Sequence, residues 1–303
     1  MRNKTVDINI FQAVNIGHFA RRLLSGRLIC TVWGNTSRGI FLKIQPEGLV
    51  FLSYEDFKGP FTINIQPSLA DELRNLVPGT RIVYGSGEML YIEQQNLGIS
   101  ITKTNIWVPG SFGGTVKTNE LPGNLVVLAG WLRSNTPPGS FGSLSSSVDS
   151  IEAPGQDGTA GLHDRIRDIY LSIKTLDQPQ FIESASRVVG LGSGLTPSGD
   201  DFLMGMGLAV SRYNHKINGL KGYSSWFEHL SPMFNAKTTI LSSALFTASL
   251  QGSGDERLIQ AFDSIVSGKM NEEEIIPSIS SWGSSSGFDS LAGFYTLMKA
   301  ISI

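Results

Sequence analysis

Between residues 28 and 108 the chain alternates short runs of β-branched and aromatic residues with turn residues. The runs are RLICTVW, GIFLKI, LVFLSY, FTINI, RIVYG, MLYIEQ and ISITKTNIWV, and the breaks are GNTSRG, QPEG, KGP, VPGT and GSGE. Runs of this length at even spacing predict strands, and Gly, Pro and Asn at the breaks supply the backbone that turns need. Ahead of them, IGHFARRLLSG predicts a short helix closed at Gly26. From residue 162 the period becomes helical, with Leu162, Ile166, Ile169, Tyr170 and Ile173 on one face of LHDRIRDIYLSIKT. Similar spacing continues through FIESASRVVG, DFLMGMGLAVSRY, TTILSSALFTASLQG, ERLIQAFDSIVSG and SLAGFYTLMKAI. The pattern predicts an α+β fold, in which an N-terminal antiparallel β-barrel or sandwich is followed by a mainly α-helical C-terminal half.

Between the two patterns, residues 134–161 are mostly Ser, Gly, Pro, Thr and Asp, too poor in apolar side chains to order themselves by burial. The expected organisation is therefore a β domain with its short helix over 1–133, a linker or lid over 134–161, and a helical domain over 162–303. At 303 residues with 41% apolar content, each part can bury a core without staples. The single cysteine, Cys30, sits inside an apolar run and reads as a small buried hydrophobe. A net charge of −2 with only 17% charged residues leaves no basic stripe for nucleic acid, and favours a small metabolite as partner. No apolar leader segment and no run long enough to cross a bilayer is found, so a cytoplasmic protein with no membrane partner is expected.

The chemistry concentrates in a motif that occurs twice. Ser198-Gly199-Asp200-Asp201-Phe202-Leu203-Met204-Gly205 and Ser286-Gly287-Phe288-Asp289-Ser290-Leu291-Ala292-Gly293 share S-G-x-D-x-L-x-G, each after a loop of small residues and before an amphipathic run. Ser198 with Asp201, and Ser286 with Asp289, have the spacing of a capping box, which is a sufficient structural reason for those four residues. Capping does not require the preceding GLGSGL and WGSSSG. Glycine-rich loops entering helix N-termini gather free N–H groups and the positive end of the helix dipole, which suits carboxylate or phosphate. Asp200 faces Phe288 in the alignment and lies outside the capping pattern, so it is the better candidate for chemistry, with Asp201 as the cap partner. A third element, KTTILSSALFTASLQG, places several hydroxyls together, among them Thr239 and Ser242. The expected substrate contacts are Gly192, Ser193, Gly194, Thr196, Ser198, Gly199, Thr239, Ser242, Ser285, Ser286, Gly287 and Asp289, and the expected catalytic carboxylates are Asp200 and Asp201.

Other chemistries find little support. The four histidines have no metal-ligand spacing, GSGE lacks the rest of a dinucleotide fingerprint, and no G-x-S-x-G elbow is present. No cofactor or metal is expected, although Asp200 and Asp201 could alternatively hold Mg²⁺ beside a phosphate.

Taken in order, GLGSGLTPSGDDFLMGM, KTTILSSALFTASLQG and WGSSSGFDSLAGF resemble the bacterial family of the oxamate carbamoyltransferase subunit AllH, long catalogued as a domain of unknown function. The resemblance is strongest between residues 187 and 294. It implies a subunit of an assembly that moves a carbamoyl group between oxamate and phosphate in allantoin degradation. Carbamoyl phosphate or oxamate would then be the substrate, other enzyme subunits the partners, and Asp200 or Asp201 would orient the carbamoyl amide. It leaves open whether this chain carries the chemistry or binds and presents the metabolite while another subunit reacts. The chain departs from the family's usual pattern at Ser193, where proline is common, and at Ser284, where histidine is common.

Overall fold

The computed structural model describes residues 8–45, 48–85, 87–146, 148 and 160–302. The chain divides into two compact units, Met1–Val108 and Pro109–Ile303.

The first unit holds every strand among the described residues. These are β1 (Asn9–Gln12), β2 (Asn15–Gly17), β3 (Leu28–Thr36), β4 (Gly39–Ile44), β5 (Leu49–Ser53), β6 (Thr62–Asn64), β7 (Arg81–Gly85), β8 (Met89–Ile92), β9 (Leu97–Ser100) and β10 (Asn105–Trp107), with short helices α1 (His18–Leu23) and α2 (Ala70–Arg74). They form one curled sheet, a half-barrel, in the order β1-β9-β8-β7-β3-β4-β5-β6-β2-β10. The predicted runs pair as antiparallel hairpins from β3 to β5 and from β7 to β9. The sheet as a whole is mixed, because β1 pairs with β9, β5 with β6 and β10 with β2 in parallel. Strands β1 and β2 come from a segment with no alternating run of its own, so its pairing is decided by the sheet it joins and not by local propensity. The alternate residues Cys30, Val32, Ile40, Leu42, Ile44, Val50, Leu52, Ile82, Leu90, Ile92 and Ile99 fill the concave core. Burial pushes the Cys30 thiol up to about 11, which keeps it an inert hydrophobe.

The second unit is helical: α3 (Leu121–Asn135), α4 (Phe141–Ser145), α5 (Ala160–Lys174), α6 (Gln178–Ser186), α7 (Ser198–Tyr213), α8 (Ser224–Glu228), α9 (Ser231–Lys237), α10 (Ile240–Ser249), α11 (Glu256–Val266), α12 (Glu272–Ser280) and α13 (Ser286–Ile301). On α5, Ile166, Ile169, Tyr170 and Ile173 are buried as the period predicts. Within the stretch read as a linker, Ser134 and Asn135 close α3 and residues 141–145 form α4, while 147 and 149–159 lie outside the described residues. No helix among the described residues is long and apolar enough to cross a membrane.

Two helices make the centre. α7 buries residues 199–210 and α13 buries 286–298 without a polar face, as a helix must when it is surrounded on all sides. They touch each other closely because glycine sits at their crossing. A Cβ on Gly205 would stand 2.0 Å from the Ser290 carbonyl oxygen, and one on Gly293 only 1.8 Å from that of Phe202. Since Gly205 aligns with Gly293 and Phe202 with Ser290, the two contacts are equivalents of one another. The repeated motif is thus a pair of equivalent helices packed through their glycines.

Candidate functional site

The site begins where these two helices start. Residues 190–197 run from α6 into α7 as an open loop in which Gly190, Gly192 and Gly194 take φ values of +76°, +122° and +93°, a region that side chains avoid. Four bonds hold the loop. The Gly190 N–H donates to Asp200 Oδ1 at 2.7 Å, and the Gly199 N–H to the Leu191 carbonyl at 2.9 Å. The Thr239 hydroxyl donates to the Leu195 carbonyl at 2.6 Å, and Thr196 Oγ1 meets Ser286 Oγ at 3.0 Å. The last contact brings the loop against the start of α13, so the two copies of the motif face each other.

Neither copy forms the expected capping box. Ser198 and Ser286 are already the first helical residues; the caps are Pro197 and Ser285, and neither helix receives a side-chain cap bond. The proline supplies the extended backbone at the cap of α7, which displaces Ser198 one step inward and frees its hydroxyl. The copies instead exchange partners. The Ser286 and Thr196 hydroxyls favour the charged form of Asp201, while the Ser285 and Ser198 hydroxyls favour that of Asp289. Ser286 and Ser198 thus each act on the aspartate of the other copy, while Thr196 and Ser285 act on their own. The Ser290 hydroxyl adds a bond to the Asp201 carbonyl at 3.1 Å.

Asp201 and Asp289 are 1% and 2% exposed, and one oxygen of each, Oδ2, has no hydrogen-bond partner among the described residues. Burial pushes the Asp201 carboxyl well above its usual range; its serine and threonine partners oppose this, and the negative charge of Asp289 adds to it. Burial likewise raises Asp289, to about 6, against hydrogen bonds from Ser285 and Ser198. No basic side chain contributes to either shift, so a proton or a bound donor is what would relieve the charge.

Asp200 stands apart from this pair in its bonding. One oxygen accepts from the Gly190 amide and the other from the Thr238 hydroxyl, so both are engaged. Its carboxyl is raised by burial, and Thr238, Gly190 and Ser242 favour the charged form. Asp200 thus braces the loop with both oxygens, whereas Asp201 retains an unbonded oxygen.

Four other expected residues have local structural roles. The amides of Gly199 and Gly287 donate to the Leu191 and Trp282 carbonyls. Their missing side chains answer to packing: a Cβ would fall 2.1 Å from the Val188 carbonyl oxygen and 2.4 Å from that of Ile279. Thr239 caps α10 by accepting from the Ser242 N–H at 3.0 Å while it ties the loop. Ser242 is buried with its hydroxyl unbonded, close enough to Asp200 to favour that carboxylate. Gly192, Ser193 and Gly194 lie exposed on the loop, and among the described residues no acceptor bonds the amides of 192–195 or of 283–285. Beyond the expected residues, Thr238 and the Gly190 amide hold Asp200. Arg257, paired with Asp255, anchors the approach to the second loop by donating to the Ser281 carbonyl at 3.2 Å and hydroxyl at 3.0 Å. The threonine pair in KTTILSS was the legible signal for Thr238; Arg257 had none.

Asp200 and Asp201 turn to different partners, and among the described residues no group of three or more His, Cys, Asp or Glu is placed to hold a metal ion. What the arrangement offers is loop amides that can donate to an anion, and buried carboxyl oxygens in the helices they lead into that can accept from N–H or exchange a proton.

Residues 188–298 match the family model described as oxamate carbamoyltransferase subunit AllH. The matched segment runs from the start of the first loop through α7, α10 and the second loop to near the end of α13, the part of the chain that carries the site. No curated protein and no solved structure matches the chain.

Proposed function

With the site lying inside the segment that matches an oxamate carbamoyltransferase subunit, we propose that this chain is the subunit of such an assembly that holds the carbamoyl group for transfer. The observation that carries the reading is the pair of buried, unbonded Oδ2 atoms on Asp201 and Asp289, each in the first turn of the helix that follows a loop of free amides. Carbamoyl phosphate and oxamate both join an amide to an anion. The anion suits the loop amides of residues 192–195 and 283–285, and the amide N–H suits the carboxyl oxygens. Burial makes both carboxyls hold a proton more readily than an exposed aspartate does, which lowers their repulsion of an anionic ligand.

In the transfer, the oxamate nitrogen forms a bond to the carbamoyl carbon, the bond from that carbon to the phosphate oxygen breaks, and one proton leaves the nitrogen. Asp289, with its carboxyl near 6, is matched to accept that proton and return it to the departing phosphate. Asp201 orients the amide, and Asp200 keeps the first loop in place through Gly190.

The test is carbamoyl transfer from carbamoyl phosphate to oxamate by the chain assembled with its partner subunits, with oxamate binding to the chain alone measured in parallel. Asp289→Asn should lower kcat by about 10²-fold or more, the usual scale of a lost general base, with oxamate affinity little changed. Unchanged kcat in Asp289→Asn with oxamate still bound would favour the second reading, a subunit that presents the metabolite to another. Absence of oxamate and carbamoyl phosphate binding would overturn both.

A further inference from the structure

A cleft of about 580 Å³ opens in the first unit between α1 and the β7–β8 turn, lined chiefly by Arg21, Arg22, Arg27, Tyr84 and Glu88. Three guanidiniums meet one carboxylate there, in a chain whose net charge is −2. The cleft is also built. Glu88 adopts φ +51°, a conformation unfavourable for a side-chain-bearing residue, and from it pairs with Arg21. Arg21 donates further to the Tyr84 hydroxyl at 3.4 Å and the Leu24 carbonyl at 3.3 Å, so its guanidinium is fixed at the cleft. The Arg22 guanidinium lies over the Phe19 ring, 5.2 Å from its centroid, and among the described residues neither Arg22 nor Arg27 pairs with a carboxylate. Gly26 and Gly87 line the same cleft with open space above them, so a ligand can approach the backbone.

We infer that this cleft is a second binding site, separate from the aspartate cluster, for a small dianion of the phosphate or phosphate-monoester class. One guanidinium held rigidly by Glu88 and Tyr84 and two unpaired ones supply more positive charge than the lining carboxylate cancels. Their planar N–H forks match phosphoryl oxygens. A strained glutamate that fixes one arginine, and leaves the other two without acids, is an arrangement for a ligand and not for internal neutrality.

The full-length chain labelled with an arginine-selective reagent, in the presence of inorganic phosphate or of glycerol 3-phosphate, tests this. Both probes should slow labelling of Arg22 and Arg27 while leaving the exposed Arg81 unprotected, and the probe that protects at lower concentration identifies the free ion or the ester as the preferred form. Arg22→Lys with Arg27→Lys keeps the charge and removes the forks. It should raise the Kd for the better probe at least tenfold by calorimetry, at an unchanged melting temperature. Asp289→Asn should leave the protection intact. Equal protection of Arg81, no protection at all, or protection lost in Asp289→Asn would overturn the assignment.

Discussion

Asp289 gives up its proton less readily in the folded chain than in the unfolded one, about 6 against 3.8. A carboxyl raised by folding contributes stability that is full below its unfolded value and is lost as pH rises through the folded one. Two units correspond to about 3 kcal/mol. The melting temperature of the wild type should therefore fall between about pH 4 and about pH 6, and Asp289→Asn should flatten part of that fall. An equal slope in the variant would mean that Asp289 does not hold the proton. Asp200 answers to a different measurement. Because its two oxygens accept from Gly190 and Thr238, Asp200→Ala orphans a buried amide and a hydroxyl and should destabilise by about 1–3 kcal/mol. A stable Asp200→Ala protein with its loop intact by hydrogen exchange at Gly190 would remove the bracing role. The duplicated motif disclosed both residues, since Asp200 is the position that the second copy fills with Phe288. Their roles were not legible, because a capping box and an exchanged pair use the same serine and aspartate at the same spacing. At α7 the proline that takes the cap decides between them, whereas α13, capped by Ser285, carries no such signal.

At the scale of a helix, glycines of the same local type have opposite roles. Gly130 on α3 is exposed with nothing within 4 Å of a would-be Cβ, so Gly130→Ala should stabilise by about 1 kcal/mol through helix propensity alone. On α7 the same change at Gly205 drives a methyl into the Ser290 carbonyl, where no rotamer can give way. Gly205→Ala should destabilise by roughly 3 kcal/mol or more despite the better propensity, because it forces two central helices apart. Thermal melting of the two variants separates them, and a stabilised Gly205→Ala would show that the helices do not cross as closely as described. Propensity and period could locate α7 and α13, whose boundaries follow the motif. They could not say that the two helices face one another, since contacts between residues so distant in the chain leave no periodic trace. The same limit hid β1 and β2, three- and four-residue strands whose pairing is supplied by β6, β9 and β10.

The whole chain carries two cores, a curled sheet before Val108 and a helical unit after Pro109. Units with separate cores lose structure separately when heated. Calorimetry should resolve two transitions, and Gly205→Ala should lower only the one that belongs to the helical unit. A single transition lowered as a whole would mean that the units melt as one. The break between an alternating and a helical pattern announced this division, although the composition of residues 134–161 pointed to a boundary further along the chain than the compact units have. Within the helical unit, Ser286 acts on Asp201 and Ser198 on Asp289, so the two motif copies are coupled. A substitution at position 198 is judged by what stands at 289, and one at 286 by what stands at 201, so neither copy can drift alone. A chimaera that inherits its first copy from one lineage and its second from another would carry mismatched halves, and only joint replacement would pass.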